Sequence, residues 1–314
     1  MKEELKIDFV DLWKDFDKTN NFFFHLLSTR YRLVITDSPD LLIFSGFGNK
    51  HLQYNCTKLF YTGENWKTNF NACDYSISFE NLPSIKQYQL PNYVIRVLEA
   101  NSLHLLLKQK SMEEAHQILE VKSEFCCTVV SNPSAHVRND FFEKLNTIKK
   151  VNSGGRFRNN IGGPVADKLE FCKNHKFVFA FENQRATGYT TEKLTDALLS
   201  DAIPIYSGDP DVAKTFNSKR FLNFDEYKNA EDLIVDILEL DTNDTLFKKK
   251  ISQPVFVNNQ APDFFDASRL LNFITTCIED ETVKKKQYKI KKNFRYYVER
   301  KYNGLKRRLN FKSQ

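Results

Sequence analysis

The residues best suited to chemistry in this sequence lie within 176–208, KFVFAFENQRATGYTTEKLTDALLSDAIPIYSG. Glu182, Asn183, Tyr189, Glu192 and Lys193 bring a carboxamide, a phenol, two carboxylates and an ammonium within a dozen positions. A lysine in the first turn of a helix can hold a phosphate as a point charge, and a glutamate beside it can accept hydrogen bonds from sugar hydroxyls. That use requires a particular local fold. Residues 177–181 form a short apolar, β-prone run, Thr191 and Glu192 open a helix with Leu194, Ala197 and Leu198 at helical spacing, and 202–206 is a second buried strand ending at Gly208. Strand, loop, helix and strand make a βαβ unit, which belongs to a parallel sheet. In such a unit a ligand sits beyond the carboxyl end of the strand, where free N–H groups and the helix dipole favour anions. The same string is also an ordinary helix start, with Thr191 as N-cap and Glu192 favoured by the dipole. Spacing alone leaves both readings open.

The full string resembles the signature of the α1,3/α1,4-fucosyltransferases of glycosyltransferase family 10: an apolar strand ending in FEN, a short loop, Y-x-T-E-K on a helix, then I-P-I/V-Y-x-G. It stands here as Phe181-Glu182-Asn183, Tyr189-Thr190-Thr191-Glu192-Lys193 and Ile203-Pro204-Ile205-Tyr206-Ser207-Gly208. Two further blocks are similar to bacterial members: Phe60-Tyr61-Thr62-Gly63-Glu64-Asn65 running on to Asn69-Phe70 and Asp74-Tyr75, and Val130-Ser131-Asn132-Pro133 leading to Arg138-Asn139 and Gly154-Gly155. The likeness covers roughly residues 5–275. Gln184, Thr190 and Ser207 stand where the family usually has Ser, Val and Trp.

The resemblance implies a GT-B architecture, two Rossmann-like domains facing a cleft, whereas periodicity alone gives only α/β. It implies transfer of L-fucose from GDP-β-L-fucose to a hydroxyl of an N-acetylglucosamine-type acceptor, with inversion. One-step inversion needs a base for the acceptor proton, positive charge for the departing diphosphate, and in-line placement of both sugars. Glu64 matches the family's base and follows an expected strand that ends at Thr62; in its absence Thr-Gly-Glu-Asn is an ordinary turn. Arg138 and Lys193 match the diphosphate-binding cations, Glu192 the ribose-binding glutamate, and Tyr189 and Asn183 complete the donor pocket. Arg158 is a further candidate for it. Read without the family, Arg138 is a helix-surface cation near the start of its helix, a position the dipole disfavours by about 0.3–1 kcal/mol.

A metal is the rival source of positive charge, because Asp209-Pro210-Asp211 follows a strand as the D-x-D of metal-dependent transferases does. Proline in the middle and the family pattern favour a plain turn, so no metal and no cofactor beyond the donor substrate is expected. The six cysteines lack C-x-x-C spacing and the histidines lack ligand spacing, so neither a disulfide framework nor zinc is expected, and Cys126 and Cys127 read as buried thiols.

Charge is uneven. Residues 284–314 hold thirteen Lys and Arg against the single acid Glu299, net +12, leaving −6 on residues 1–283 of a chain that totals +6. Tyr288, Phe294, Tyr296, Tyr297 and Phe311 interleave the charge. This composition suits a segment lying on anionic lipid, at roughly 1 kcal/mol per basic residue near the surface. A solvated basic extension is the bland alternative, and the acidic body opposes nucleic acid. No run approaches the ~20 apolar residues that span a bilayer, and the first residues, MKEELK, lack a signal region. The animal members' anchor and stem are missing from this sequence, so a cytoplasmic bacterial-type enzyme, peripheral on the inner membrane and decorating a surface polysaccharide or lipopolysaccharide precursor, is expected.

The remaining elements supply the frame. Strands are expected at 5–12, 33–35, 41–44, 59–62 and 124–131, helices at 20–30, 138–145 and 267–278, and a helical region at 100–120 broken near Ser111. Residues 1–120 thus read as an acceptor-binding domain, 121–278 as the donor-binding domain and 279–314 as the tail. Competing readings are a GT-B transferase using another nucleotide sugar and a non-catalytic membrane-surface binder.

Overall fold

The computed structural model describes residues 2–284, which divide into two units. The basic aromatic segment 285–314 lies outside the described residues, and with it most of the expected membrane-binding tail.

The first unit comprises residues 2–90 together with 266–284. Its strands are β1 (Glu4–Val10), β2 (Arg32–Ile35), β3 (Leu41–Phe44), β4 (Thr57–Tyr61), β5 (Tyr75–Ser78) and β6 (Gln87–Gln89), with helix α1 (Phe22–Ser28) between the first two. All pairings are parallel and the order is β2-β1-β3-β4-β5-β6. β3 and β4 are buried at every position, as a sheet covered on both faces requires.

The second unit, residues 91–265, opens with α2 (Asn92–Glu99), α3 (Leu103–Leu107) and α4 (Met112–Val121). It continues through β7 (Glu124–Thr128), α5 (His136–Ile148), β8 (Val151–Ser153), α6 (Lys168–Lys173), β9 (His175–Phe181), α7 (Glu192–Leu199), β10 (Ile203–Ser207), β11 (Leu222–Asn223), α8 (Ala230–Thr242) and α9 (Asp244–Ile251). Its sheet is also all-parallel, in the order β11-β10-β9-β7-β8. Two parallel α/β sheets in separate units are the construction of the GT-B class. Among the described residues no helix is long and apolar enough to cross a membrane.

Counted along the chain, both sheets begin 2-1-3-4-5, the doubly wound order whose crossover direction reverses between the first and third strands. The reversal leaves a crevice at the carboxyl ends of those two strands. In the second unit it lies between β7 and β9, and in the first between β1 and β3.

The domain boundary expected near residue 120 stands instead at 90/91, and the helix after 265 belongs to the first unit. The physical reason is packing. The apolar face of α2, with Tyr93, Val94 and Val97 buried, meets α7 and the Phe216–Phe256–Phe265 cluster of the second unit. α10 (Ala267–Glu279) buries Leu270, Ile274 and Cys277 and packs on α1 and β4, with Phe273 against Tyr88 at 5.4 Å; the short α11 (Glu281–Lys284) follows it. The helical stretch at 100–120 is broken where expected, Ser111 capping α4 through a reciprocal pair with Glu114.

Candidate functional site

In the second unit the core sets the positions of the charged groups. Arg138, Phe141, Phe142 and Leu145 form the buried stripe of α5 at the i, i+3, i+4, i+7 spacing of one helix face. Phe141 lies parallel to Phe181 of β9 at 5.6 Å, and Phe179 is 5.5 Å from Phe181. This stack clamps α5 to the sheet. One turn earlier on the same face, Arg138 is carried to the carboxyl edge, between the ends of β7 and β9. It is therefore not the helix-surface cation that its position near the N-terminus suggests.

The guanidinium of Arg138 is 2 % exposed as a residue, and its hydrogen bonds go to neutral acceptors: Asn183 Oδ1 at 3.1 Å, Asn139 Oδ1 at 3.2 Å and the carbonyl of Asn132. Phe157 lies 6.0 Å below it. Burial lowers its pKa. No carboxylate pairs with it among the described residues. Leaving a buried charge without a counter-ion is costly, by several kcal/mol in general, and an anion bound here would offset that cost.

Across the crevice, the loop after β9 is organised by a residue whose role the sequence did not indicate. The Glu182 side chain is wholly buried and accepts from Thr191 N at 2.7 Å, Thr191 Oγ1 at 2.8 Å and Lys193 Nζ at 2.9 Å. Lys193 Nζ also donates to Thr191 Oγ1 at 2.9 Å, while that hydroxyl caps α7. Burial raises the Glu182 pKa, against the pull of Lys193 and Thr191. This web fixes the ammonium of Lys193 over the first turn of α7 with its side chain one-fifth exposed. Gly208 is obligatory beside it, since a Cβ there would stand 2.5 Å from Glu182 Cγ.

Asp209 does equivalent work for the far side of the loop. It accepts from Gly188 N at 2.8 Å, Thr190 Oγ1 at 3.1 Å and Asp211 N at 2.9 Å, and its own N–H donates to Tyr206 Oη. Asp211 pairs with Lys214 at 2.7 Å. The two carboxylates are thus directed into loop and surface contacts. Among the described residues no cluster of three or more His, Cys, Asp or Glu stands ready for a metal.

The sequence candidates divide accordingly. Arg138 and Asn183 meet directly, and Glu192 and Lys193 are adjacent on the first turn of α7. Burial works to raise the Glu192 pKa, but Lys193, Lys168 and Arg96 outweigh it and hold the carboxyl below its ordinary value. It stays an anionic acceptor. Tyr189 is buried at the end of the loop. Arg158 is drawn elsewhere: it is mostly exposed and bonds Glu143 Oε1 at 2.9 Å on the outer side of α5.

In the first unit, Glu64 lies in the loop after β4, exposed, at the carboxyl edge of the sheet. Its backbone is fixed by Thr62, whose hydroxyl accepts from Glu64 N and donates to Glu64 O, both at 3.0 Å. Its carboxylate carries no hydrogen bond or ion pair among the described residues.

Comparison with known proteins bears on both units. Residues 7–96 match the family model of the α-(1,3)-fucosyltransferase FucT N-terminal domain, and 119–291 match that of glycosyltransferase family 10 (fucosyltransferase), C-terminal part. The Helicobacter pylori α-(1,3)-fucosyltransferase FucT is 34 % identical over 89 % of this chain and 67 % of its own length. A crystal structure of an α1,3-fucosyltransferase with GDP-fucose superposes with TM-score 0.75 and 30 % identity, covering 91 % of this chain and 94 % of that one. A second crystal structure of an α1,3-fucosyltransferase gives TM-score 0.78 at 32 % identity, covering 90 % and 92 %.

Proposed function

This chain belongs to glycosyltransferase family 10 and is a fucosyltransferase, and from that premise we propose that it moves L-fucose from GDP-β-L-fucose to a hydroxyl of an N-acetylglucosamine-type acceptor, in α1,3 or α1,4 linkage, with inversion. The diphosphate binds Arg138 and Lys193, displacing the neutral acceptors Asn132, Asn139 and Asn183 from the guanidinium. Charge-assisted, bidentate hydrogen bonds to phosphate are stronger than those they replace. Glu192 accepts from the ribose hydroxyls, with Tyr189 and Asn183 closing the donor site.

In the transfer step Glu64 removes the acceptor's hydroxyl proton, and the oxygen attacks the anomeric carbon opposite the leaving GDP. The bond to the β-phosphate oxygen then breaks, and its electron pair is stabilised by the two cations. No metal enters this scheme, and activity persisting in excess EDTA is the check.

The observation that carries this reading is the buried Arg138 guanidinium with no acid partner among the described residues, set at the crevice of the second sheet. Calorimetry with GDP and UDP tests it. GDP is taken up by the wild type, UDP weakly or not at all, and Arg138→Met loses GDP affinity by about tenfold or more, as removal of one charged hydrogen-bonding group does. Equal affinity in the variant refutes the assignment. The cytoplasmic, membrane-peripheral setting and the lipopolysaccharide-type acceptor are proposed on the net +12 of residues 284–314.

A further inference from the structure

The crevice of the first sheet, between β1 and β3, is edged by aromatic rings, two of them exposed. Phe47, in the loop after β3, is 50 % exposed and meets the Trp66 ring edge-on at 4.7 Å, 68° between planes. Trp13, after β1, is 48 % exposed and stands edge-on to Phe16 at 4.9 Å. Single exposed aromatics are common on protein surfaces. These are held in place.

The holding is done largely by Asp11, whose left-handed φ of 57° ends β1. Its carboxylate accepts from Lys50 N and His51 N, both at 2.9 Å, and contacts His51 Nδ1 at 2.6 Å, while its carbonyl accepts from Phe47 N at 3.0 Å. Gly48 is so close that a Cβ would lie 2.0 Å from Asp11 Oδ1. The loop therefore presents Phe47 outward on a fixed backbone. Trp66 is fixed from below, packed on the Val10, Leu42, Phe44 and Phe60 cluster, and a Cβ on Gly46 would overlap its ring at 2.4 Å. Its backbone N–H donates to the Glu64 carbonyl at 2.6 Å. One tight turn thus carries the Glu64 carboxylate and the indole together.

We propose that Phe47 and Trp66, flanked by Trp13, form the stacking platform for an uncharged pyranose ring of the acceptor, placing one of its hydroxyls at Glu64. The inference rests on the fucosyltransferase reading and adds the acceptor subsite to it. A pyranose offers a C–H face that packs on an aromatic ring and an equatorial rim of hydroxyls that needs polar partners at the ring's edge. The first unit supplies both, at the place where doubly wound sheets take ligands. Three neighbouring strands span about 10 Å, so rings following β1, β3 and β4 cover roughly a disaccharide.

Trp13 and Trp66 are the only tryptophans in the chain, so its indole emission reports this surface alone. The full chain, with GDP present, is titrated with N-acetyllactosamine and a panel of related oligosaccharides, and each sugar is also assayed for fucosyl transfer. Any sugar that serves as acceptor shifts the emission saturably. Phe47→Ala and Trp66→Ala raise acceptor KM by about tenfold, the loss of one ring contact, more than they raise donor KM, and Trp66→Phe restores part of the loss. Far-ultraviolet circular dichroism checks that each variant is folded. Transfer that continues with unchanged acceptor KM in both alanine variants overturns the platform while leaving the transferase reading intact. So does emission that responds to phosphatidylglycerol vesicles and not to accepted sugars. A wild type that neither binds GDP nor transfers to any sugar overturns the reading beneath it.

Discussion

Arg138 and Lys193 are both cations beside a helix N-terminus, yet they are held in opposite ways. Lys193 has a buried carboxylate partner in Glu182, and Arg138, among the described residues, has only amide and carbonyl oxygens. Their variants should differ for that reason. Lys193→Ala removes a transition-state cation and lowers turnover by on the order of 10²–10³. It also strands Glu182, and the melting temperature falls, because breaking a buried pair from one side costs about 3–5 kcal/mol in general. Pairing Lys193→Met with Glu182→Gln recovers much of the melting temperature and none of the turnover. Steady-state kinetics beside thermal denaturation separates the two effects. Glu64→Gln should retain GDP binding in calorimetry while transfer is lost; wild-type turnover in that variant removes the base. Arg138 was assigned through the family pattern, while the residues alone suggested a surface cation; its place on the 138, 141, 142, 145 stripe, a charge on an apolar face, is the signal that could have found it. Glu182 carries no such signal. Its role depends on Thr191 and Lys193 folding back across the loop, which no local pattern encodes.

At the scale of elements, β9, α7 and β10 lie where the sequence placed them, because apolar runs bounded by a capping threonine and a glycine are strong local signals. β5, β6 and β8 were not anticipated, for reasons visible in their residues. Ser76 and Ser78 of β5 are wholly buried, so polarity misleads there, and Gln87–Gln89 and Val151–Ser153 are too short to show a period. Gly208 joins the capping web to β10, and Gly208→Ala should raise donor KM by displacing Glu182, visible as weaker GDP uptake. The turn after α10 carries a pH dependence. Thr282 and Tyr75 hold the Asp280 carboxyl at about 2, against 3.8 unperturbed. A depressed carboxyl contributes stability above its unfolded value and loses it as pH falls through the folded one. The unfolding free energy in urea should therefore drop between about pH 4 and pH 2, and Asp280→Asn should flatten that slope.

At the scale of the whole molecule, the two sheets use the same strand order, and each offers one crevice: a cationic one in the second unit and an aromatic one, beside the Glu64 carboxylate, in the first. That division of labour was only half legible. Hydropathy gave α/β, the family motifs marked the residues around the second crevice, and the boundary was misplaced because α2 follows the first sheet in sequence but packs with the second. Deleting 284–314 should move the enzyme from the membrane to the soluble fraction with transfer intact, measured by fractionation and assay; unchanged fractionation removes the lipid role.

The return of α10 to the first unit has a consequence for synthesis. Residues 91–265 are one unbroken stretch, whereas the first unit is built from two stretches separated by it. The opening ninety residues must wait, uncapped, until 267–279 have been translated, because Leu270, Ile274 and Cys277 bury only then. The module made first is finished last, and a stop codon at residue 266 or 267 leaves 91–265 whole while the first sheet loses its closing helix.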